Sequence, residues 1–551
     1  MTPNRTSRFS VTSALAIGAL ALAGCGGGGA STDPTTGPSQ TPSVEAVDGG
    51  SAIFAVDTPF FGFDPNVTPA AQDARVLRQM FDSLLYLDED GELQPWLATE
   101  WTVSDDGLTY EFTLREDVTF WDDTAFDAAA LCFNLDRIID PSAGSIYAIG
   151  LVGPYASCEA SGEFTATVTM SAPFSAFLNN LTSPFMGMNS PTAAAAVEPA
   201  DYLIAPTGSG PFEFVSYTPQ DRVELTRNTD YAWAPGNAVH TGPAHLENLT
   251  FQIIADATVR MGSLRNGTVQ GVGNVPETEA AAVEADGTLT YIAQQQSGAP
   301  FQLHFNVDRV FADQAVREAA RMALDIDSAV QALYFGTYDR AWGPLAPTTV
   351  GYDPAVENSF EFDADGANAL LDEAGWVLGD DGVRTKDGAR LAVVYMESTP
   401  NREKRQDLAT FFEANLEAVG FEVETVFEQT AELLSRQQNG EYDIAGLSLV
   451  AVDPNVLYQM YDPRFMPSPG QTGFNISHTD DAEVTDLAAQ SQQLTGAERE
   501  AVVAQLQQNV VENVRSVAIY VPTYTLAVNS LQGLRFDAEG YPIFYDAFLA
   551  G

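Results

Sequence analysis

The sequence predicts an α/β protein with mixed sheets, and two patterns indicate this fold class. Short runs of Thr, Tyr, Phe and Val alternate with polar residues around turn signals, as in 94–123 and 212–233, which is typical of β-hairpins. Segments between these runs carry apolar residues at helical spacing, as in 125–139 and 496–514. Hairpins and helices therefore alternate along the chain. No internal repeat is visible.

The length and composition allow several domains with real cores. The chain has 551 residues, of which 45% are hydrophobic and 10% aromatic. Domains usually contain about 100–150 residues, with large ones reaching about 250–300. We therefore expect two or three domains.

The N-terminal segment is predicted to be a lipoprotein signal peptide over 1–24. Arg5 and Arg8 precede a short apolar run that ends in "LAGCGGGG", and the run is too short to cross a bilayer as a helix. Leu22 to Cys25 resembles the bacterial lipobox, which implies that Cys25 is lipidated and becomes the new N-terminus. The alternative is an ordinary secreted protein with a chance cysteine.

Residues 25–50 are predicted to be a flexible tether. This segment consists mainly of Gly, Ser, Thr and Pro, which cannot bury enough apolar surface to offset the entropy of ordering. No later stretch is long and apolar enough to span a membrane. We expect the folded part to stand in water outside the cytoplasm.

The first elements of the folded part are a hairpin and a helix. The hairpin in 94–123 turns at Asp105-Asp106-Gly107, where glycine supplies the positive φ of the turn. The following segment, 125–139, is predicted to be helical. Residues 163–181 are expected to form a strand and then a short helix, and 212–233 a second hairpin.

The later elements are mainly helices. Residues 314–336 are expected to form two helices with a capping Asp in "DIDS", and 364–376 a helix that stops at Gly375. Residues 496–514 are predicted to be a long amphipathic helix. The apolar run that follows, 516–528, is interpreted as one buried strand.

Charge excludes some partners. The chain has 25 Lys+Arg against 75 Asp+Glu, a formal net charge of −50. Nucleic acid and anionic lipid headgroups would be repelled by such a surface. We expect no nucleic-acid partner and no membrane contact apart from the lipid anchor.

Two further cysteines leave a choice open. Cys132 and Cys158 are an even pair in a chain expected to be exported, which is compatible with a disulfide. Two buried free thiols are the alternative.

Several blocks, in order along the chain, resemble one known family. They are "GELQPWLATEWTVSDDGLTYEFTLREDVTFWDD" (91–123), "TGSGPFEFVSY" (207–217), "RMGSLRNGTVQGV" (260–272), "FNVDRVFADQAVREAARMALDIDSAV" (305–330) and "DADGANALLDEAGW" (363–376). The chain resembles the large extracytoplasmic substrate-binding proteins of ABC importers, the group that contains dipeptide, oligopeptide and nickel receptors (solute-binding protein family 5).

The resemblance implies a periplasmic-binding-protein-like fold of type II, cluster C. Two large lobes with mixed sheets are joined by two hinge strands, and a third lobe is inserted. Lobe I is expected at 51–65, 201–307 and 519–551, lobe II at 66–200, and lobe III at 308–518. The segments "LHFNVD" (303–308) and "IYVPTY" (519–524) are the candidate hinge strands.

The resemblance also implies binding without catalysis. A small solute, expected to be a peptide or peptide-like molecule, is enclosed between lobes I and III and delivered to an ABC permease and ATPase complex. The expected location is the outer face of the cytoplasmic membrane or the periplasm, with the protein as a monomer. No cofactor is expected.

Candidate solute-binding residues come from segments that approach the cargo in relatives. Six residues make up this set: Phe60, Phe61, Trp342, Asp453, Asn475 and Tyr524. Aromatic side chains fill cores as readily as pockets, so each aromatic has a core alternative. The alternative for Asp453 is that it caps a helix that begins at Pro454 or Asn455.

One departure affects the expected cargo. In peptide-binding relatives an aspartate of lobe III grips the peptide ammonium, and the matching position here is Val450. A tryptophan that often precedes it corresponds to the region of Leu447. The apolar segment "LSLVAV" therefore favours a cargo without a buried ammonium, such as a modified peptide, a glycoside or a metal chelate.

The sequence also bears on functions other than import. The chain has no G-x-S-x-G, no H-E-x-x-H and no phosphate-binding loop, and its four histidines do not form a ligand pattern, so no catalytic and no dedicated metal site is expected. The alternatives left open are a receptor for a saccharide, glycoside or metal chelate, a sensory receptor that does not transport, and a surface hydrolase on the same fold.

Overall fold

The computed structural model describes residues 46–550. The predicted signal peptide, Cys25 and most of the predicted tether lie outside the described residues. Within the described part, three larger sheets organise the chain. We name three units after them: the seven-stranded unit (46–65, 201–295 and 523–550), the four-stranded unit (66–200) and the five-stranded unit (298–520).

The seven-stranded sheet is mixed. Ser51–Val56 runs parallel to Asn248–Ile253 and to Gly271–Gly273, whereas the other neighbours pair antiparallel. The strand order across the sheet is Thr290–Gln295, Thr523–Val528, Gly271–Gly273, Ser51–Val56, Asn248–Ile253, Arg222–Arg227, Phe212–Thr218.

The five-stranded sheet is also mixed. Ala392–Thr399 runs parallel to both of its neighbours, and Gly298–Phe305 pairs antiparallel with its own two. The order is Glu422–Gln429, Ala392–Thr399, Ile444–Val450, Gly298–Phe305, Ser516–Tyr520.

The four-stranded sheet is antiparallel, in the order Ala98–Val103, Thr109–Leu114, Thr165–Met170, Tyr155–Ala160. Small sheets complete the structure: Val377–Leu378 with Arg384–Lys386 and Ala389–Arg390, Leu85–Leu87 with Leu93–Pro95, Leu531–Gln532 with Phe548–Leu549, and Arg535–Phe536 with Pro542–Ile543. Mixed α/β architecture with two large sheets and an inserted smaller one confirms the predicted fold class.

Helices cover the sheets. The α-helices are Ala71–Met80, Ala128–Ile139, Ala148–Val152, Phe177–Asn180, Pro191–Ala196, Pro199–Ile204, Ala257–Arg265, Glu277–Glu284, Gln314–Ala323, Ile326–Tyr334, Ala364–Glu373, Arg405–Ala418, Thr430–Gln438, Asn455–Tyr461, Ala482–Gln493 and Gly496–Glu512. Short 3₁₀ turns lie at Pro184–Met186, Val310–Ala312, Pro354–Val356, Arg402–Lys404 and Pro463–Phe465. No helix among residues 46–550 is both long and apolar enough to cross a bilayer.

Local signals explain where several elements begin and end. The side chain of Asp127 accepts from the N–H of Ala130 and begins the helix Ala128–Ile139, and Asp325 accepts from Ser328 at the start of Ile326–Tyr334. Gly107 has φ +67° in the first hairpin, and Gly375 has φ +87° just past the helix Ala364–Glu373. The turn at Gly107, the cap at Asp325 and the stop at Gly375 were predicted from the sequence, whereas the cap at Asp127 is seen only in the structure.

The expected single strand over 516–528 is wrong. Ser516–Tyr520 pairs within the five-stranded sheet, and Thr523–Val528 pairs within the seven-stranded sheet. Pro522 stands between them and has no backbone N–H to continue a ladder. The run is therefore a crossing between two sheets at 521–522.

The first crossing lies within the expected segment "IYVPTY" (519–524), whereas the second lies outside the expected segment "LHFNVD" (303–308). Strand Gly298–Phe305 is hydrogen-bonded within the five-stranded sheet, whereas Thr290–Gln295 belongs to the seven-stranded sheet. The chain thus passes between the sheets at 296–297, and "LHFNVD" lies in and after a strand of the five-stranded sheet. The other lobe boundaries stay a prediction.

Two of the three units share one hydrophobic core, and the third has a core of its own. One continuous core includes Phe54 of the seven-stranded unit and Phe112 of the four-stranded unit. A separate core, with Leu303 and Phe412, lies within the five-stranded unit. The first two units therefore pack as one body.

Two covalent and terminal features complete the fold. Cys132 and Cys158 form a disulfide with 5.1 Å between their Cα atoms, which joins helix Ala128–Ile139 to strand Tyr155–Ala160. The two ends of the described chain are neighbours, because Gly50 lies against the side chain of Leu549.

Candidate functional site

The two large sheets face each other through corresponding edges. In the seven-stranded sheet the parallel strands end at Val56, Ile253 and Gly273, and in the five-stranded sheet they end at Thr399, Gln429 and Val450. Both crossings connect these two edges. The carboxyl ends of parallel strands are the usual place for ligands in α/β sheets, so this cleft is the candidate binding site.

Polar contacts span the cleft on several sides. Lys404 Nζ lies 3.0 Å from Glu277 Oε2, and Gln295 Nε2 donates to Asp339 Oδ2 at 2.6 Å. Both contacts join the seven-stranded to the five-stranded unit. From the four-stranded unit, the hydroxyl of Tyr147 donates to the carbonyl of Val450 at 2.6 Å.

The main cavity lies beside one crossing, where the three units meet. Its empty volume is about 650 Å³, including its open mouth. Ser297 in the crossing donates to the carbonyl of Ala538 at 2.9 Å, and Ala538 lines the cavity. Val452 contributes a wall from the five-stranded unit and Thr182 one from the four-stranded unit.

The walls are aromatic and charged. Four aromatic side chains line the cavity: Tyr86, Trp96, Tyr231 and Tyr545. Five charged residues line it as well: Arg78, Arg535, Asp537, Glu539 and Asp546. This combination of apolar surface with a few charged groups suits a small solute that carries polar groups.

Four of the five charged residues are paired with each other. Arg78 Nε lies 2.7 Å from Asp537 Oδ2, and Arg535 Nη1 lies 2.9 Å from Asp546 Oδ2. Glu539 is 2% exposed, and among residues 46–550 its carboxylate oxygens accept hydrogen bonds only from the Ser183 hydroxyl, at 3.0 and 3.2 Å. Burial, followed by the nearby Asp537, raises the pKa of Glu539 to about 8.

Tyr524, one of the predicted solute-binding residues, lies on the seven-stranded side of the cleft next to Arg75. Tyr524 is buried, its hydroxyl has no hydrogen-bond partner among the described residues, and the guanidinium of Arg75 lies 3.7 Å from its ring centroid. Burial raises the pKa of Tyr524. Tyr524 is thus a predicted solute-binding residue whose hydroxyl has no hydrogen-bond partner among the described residues. Its contact with the solute remains a prediction.

Phe60, Phe61 and Trp342 are dispersed. Phe60 packs in the core against Phe63 and Tyr217, with ring centroids 5.5 and 6.5 Å away. Phe61 is 51% exposed. Trp342 stacks under Arg340 and beside Phe360 at the edge of the five-stranded sheet, so the structure does not bring these three side chains together.

Asp453 and Asn475 have structural partners. The carboxylate of Asp453 receives two hydrogen bonds from Arg499, at 2.6 and 2.9 Å, and one from the N–H of Asn455, where a helix begins. It also accepts from Asn179 of the four-stranded unit. Asn475 is fully buried and organises its own loop through Ser477 and Thr479.

The cavity residues were missed by the sequence analysis. "RFDAEGYP" around Glu539 has the appearance of an ordinary polar turn, and burial of the glutamate arises only because 535–546 packs against distant residues of the four-stranded unit. The order Asp-Ala-Glu-Gly carries no signal for a buried carboxylate. The family blocks that identified the fold end well before this segment.

No dedicated metal site is visible within residues 46–550, where no three His, Cys, Asp or Glu side chains could jointly hold an ion. His240 and His245 stack at 4.1 Å between ring centroids, and each pairs with its own carboxylate, Asp546 and Asp48.

Comparison with known proteins gives a consistent result. Residues 92–466 match the family described as bacterial extracellular solute-binding proteins, family 5. The chain is 32% identical over 330 residues to the glutathione-binding protein GsiB of Escherichia coli O1:K1, an alignment that covers 59% of this chain and 62% of that protein. GsiB of Pectobacterium atrosepticum is 29% identical over 378 residues, covering 68% of each chain.

Solved structures share the fold. DppA from Helicobacter pylori in complex with the peptide STSA superposes with a TM-score of 0.76 at 23% identity, covering 92% of this chain and 99% of that one. NikA from Brucella suis in complex with Fe(III)-EDTA gives a TM-score of 0.78 at 23% identity, with 91% and 100% covered. AppA from Bacillus subtilis in complex with a nonapeptide gives 0.77 at 21% identity, with 92% and 100% covered.

Proposed function

The chain belongs to the bacterial extracellular solute-binding proteins of family 5, and on this premise we propose that it is the substrate-binding component of an ABC importer. It captures a peptide or peptide-like solute between its two large sheets and delivers it to a permease and ATPase complex. Closure follows from contacts to both units that exist only when the cleft is shut.

The cavity at the junction of the three units is the observation that supports this role most directly. The cavity lies beside a chain crossing, and residues of all three units line it. Its empty volume, including the open mouth, is about 650 Å³. Clefts where structural units meet, lined by apolar surface and a few polar groups, are the usual sites for small molecules. Relative motion of the five-stranded unit would open one wall, at Val452, and admit a solute.

The relatives suggest the kind of solute. GsiB is named a glutathione-binding protein, and DppA and AppA were solved with peptides. Peptide-like molecules therefore stand first. Chelates are the second candidate, because NikA was solved with Fe(III)-EDTA.

The proposal includes an anchor at Cys25 and a place outside the cytoplasm. Two acyl chains hold a protein on a membrane far longer than one, which suits a receptor that must stay near its permease. Cell fractionation of a Cys25→Ser variant tests this part: release from the membrane fraction is expected, and unchanged retention would contradict it.

The test of solute binding uses thermal unfolding of the full chain with glutathione, the dipeptide Met-Leu, and Ni²⁺ with L-histidine. We expect a peptide to raise the melting temperature by several degrees and the recovered solute to keep its mass. Ala538→Trp, which fills the cavity from its wall, should abolish the shift.

Ala232→Trp is the matched control, because Ala232 is an exposed alanine that does not line the cavity. A shift only with the nickel complex would identify a chelate receptor. Cleavage of the solute would reveal a hydrolase, and equal shifts in both tryptophan variants would place binding elsewhere.

A further inference from the structure

Glu539 is a buried carboxyl group without a cationic partner at the wall of the main cavity. Its side chain is held by the hydroxyl of Ser183, and no nitrogen of Arg, Lys or His among residues 46–550 forms an ion pair with it. Buried carboxylates are normally paired, because an isolated buried charge is expensive. If ionised, Glu539 would therefore be a buried carboxylate with no cation beside it at the cavity wall.

The nearby arginines cannot supply that charge. Arg78 uses Nε for Asp537, Nη1 for Ser83 at 3.0 Å and Nη2 for the carbonyl of Thr182 at 2.8 Å. Arg535 is bound by Asp546. Each of the two arginines forms an ion pair with another carboxylate, so Glu539 is the carboxyl group of the cavity wall that has no arginine partner.

The surrounding walls suit a cation as well. Trp96, Tyr231 and Tyr545 line the same cavity, although Arg78 already lies 5.9 Å from the Trp96 ring centroid and His240 stacks on one face of Tyr545 at 4.2 Å. Aromatic faces attract cationic groups, and they do so more strongly where water is excluded. A positively charged group of a solute would find both a carboxylate and aromatic faces here.

We propose that Glu539 is a specificity-determining residue that receives an ammonium group of the solute, and that binding releases a proton. Before the solute enters, Glu539 carries its proton as a neutral carboxylic acid. When R–NH₃⁺ enters, the O–H bond of the acid breaks, its proton passes to solvent, and the carboxylate pairs with the ammonium. This inference rests on the proposed function, and it gives the chain an ammonium site other than the Val450 position.

The direction of the pH dependence follows from the groups around Glu539. Asp537 and Arg78 face it as an ion pair, and Tyr147 and Tyr541 lie within electrostatic reach. Burial raises the pKa of both tyrosines well above 10, so they stay neutral. Glu539 is thus the group that titrates near neutrality, with its pKa raised to about 8.

The affinity for an ammonium solute should rise with pH as long as Glu539 is protonated before binding, because binding then requires the loss of that proton. Below about pH 8 the affinity for a permanently charged ammonium increases up to about tenfold per pH unit, and above it levels off. A peptide α-amino group loses its own charge near pH 7.7–8.0. For peptides, affinity is therefore expected to be greatest near pH 8.

The test offers the full chain a pancreatic casein digest and the same digest after complete acetylation of its amines. Solutes retained by the protein are identified by native mass spectrometry. The protein is used unaltered, as Glu539→Gln, and as the control Glu397→Gln. Glu397 is also buried with a pKa raised to about 7 by burial, but it lies against Phe301 and Gly446 in the five-stranded sheet, outside the cavity.

We expect the unaltered chain and Glu397→Gln to retain peptides from the untreated digest and none from the acetylated digest. Calorimetry with one retained peptide, in two buffers of different ionisation enthalpy, should count close to one proton released at pH 7. Glu539→Gln should bind that peptide at least tenfold more weakly at pH 7.5 and release no proton.

The outcomes separate this inference from the proposed function. Equal retention of acetylated and untreated peptides overturns the ammonium site and leaves a peptide receptor in place. Retention of nothing from either digest overturns the ammonium site, and the thermal-unfolding test with glutathione and the nickel complex then decides the proposed function. The comparison of digests uses the unaltered chain, so a folding defect in Glu539→Gln would not decide the result.

Discussion

At the scale of single residues, Asp453 shows how a candidate binding residue can serve the fold. Its carboxylate is 1% exposed, is held by Arg499, and also accepts from Asn179 of the four-stranded unit. Burial raises the pKa of Asp453, but the charge and hydrogen bonds of Arg499, together with the hydrogen bonds from Asn455 and Asn179, lower it below the usual value on balance. Asp453 is therefore ionised at neutral pH and links two units.

Removal of Arg499 should be costly. Arg499→Met leaves the Asp453 carboxylate buried without its cation, and we expect the free energy of unfolding at pH 7 to fall by about 3 kcal/mol. Because the folded-state pKa is lowered, this stabilisation is present above the unfolded pKa of about 3.9 and is lost as the pH falls through the folded value. Urea unfolding at pH 7 and near pH 3 measures the difference.

Arg390→Met is the control for that experiment. Like Arg499, Arg390 forms ion pairs with carboxylates, in this case Asp381 and Glu422. All three of these side chains are about half exposed to solvent. Exposed ion pairs contribute about 0–1 kcal/mol. Equal losses in the two variants would show that burial of the Asp453 pair has no energetic consequence.

At the scale of elements, the disulfide joins a helix to the edge strand of the four-stranded sheet. Cys132 and Cys158 are separated by 26 residues. Closing a loop of this length restricts the unfolded chain and stabilises the fold by about 3–4 kcal/mol in the loop-entropy account. We expect dithiothreitol to lower the free energy of unfolding by that amount.

The double variant Cys132→Ser/Cys158→Ser provides the check. It should match the reduced protein and should not respond to dithiothreitol. If reductant has no effect on the unaltered chain, the two cysteines remain as thiols, which is the alternative that the sequence left open.

The elements also show what a sequence can reveal. Hairpin turns, caps and helix stops depend on neighbouring residues, so Gly107, Asp325 and Gly375 could be predicted correctly. The run 516–528 could not, because the two sheets that receive its halves are formed by distant segments. Glu539 was missed for the same reason: its burial is a property of tertiary packing, whereas the family blocks carried the overall fold.

At the scale of the whole molecule, the division of the cores indicates which parts move. The seven-stranded and four-stranded units share one core, and the five-stranded unit has its own. Two short crossings, 296–297 and 521–522, connect them. We expect closure to be a rotation of the five-stranded unit against the other two.

The two lysines of the chain allow a matched test of this motion. Lys404 pairs with Glu277 across the cleft at 3.0 Å, whereas Lys386 pairs with Asp313 inside the five-stranded unit at 3.5 Å. Lys404→Met removes a contact of the closed form, so the closed population falls and affinity for solute should weaken about three- to tenfold. Lys386→Met should bind as the unaltered chain does.

Small-angle scattering of the solute-free variants gives an independent readout. A larger radius of gyration is expected for Lys404→Met than for Lys386→Met. Identical affinity and identical scattering of the two would contradict a closed form stabilised by the contact between Lys404 and Glu277.

The contact between Gly50 and Leu549 has a practical consequence for engineering. Because the two ends of the folded body touch, a short linker could join them, and the chain could be reopened at the exposed turn around Gly382. Such a circular permutant would keep every strand pairing while the anchor that we propose at Cys25 moved to the opposite half of the molecule. Uptake by cells that carry it would reveal whether orientation towards the membrane matters for cargo transfer.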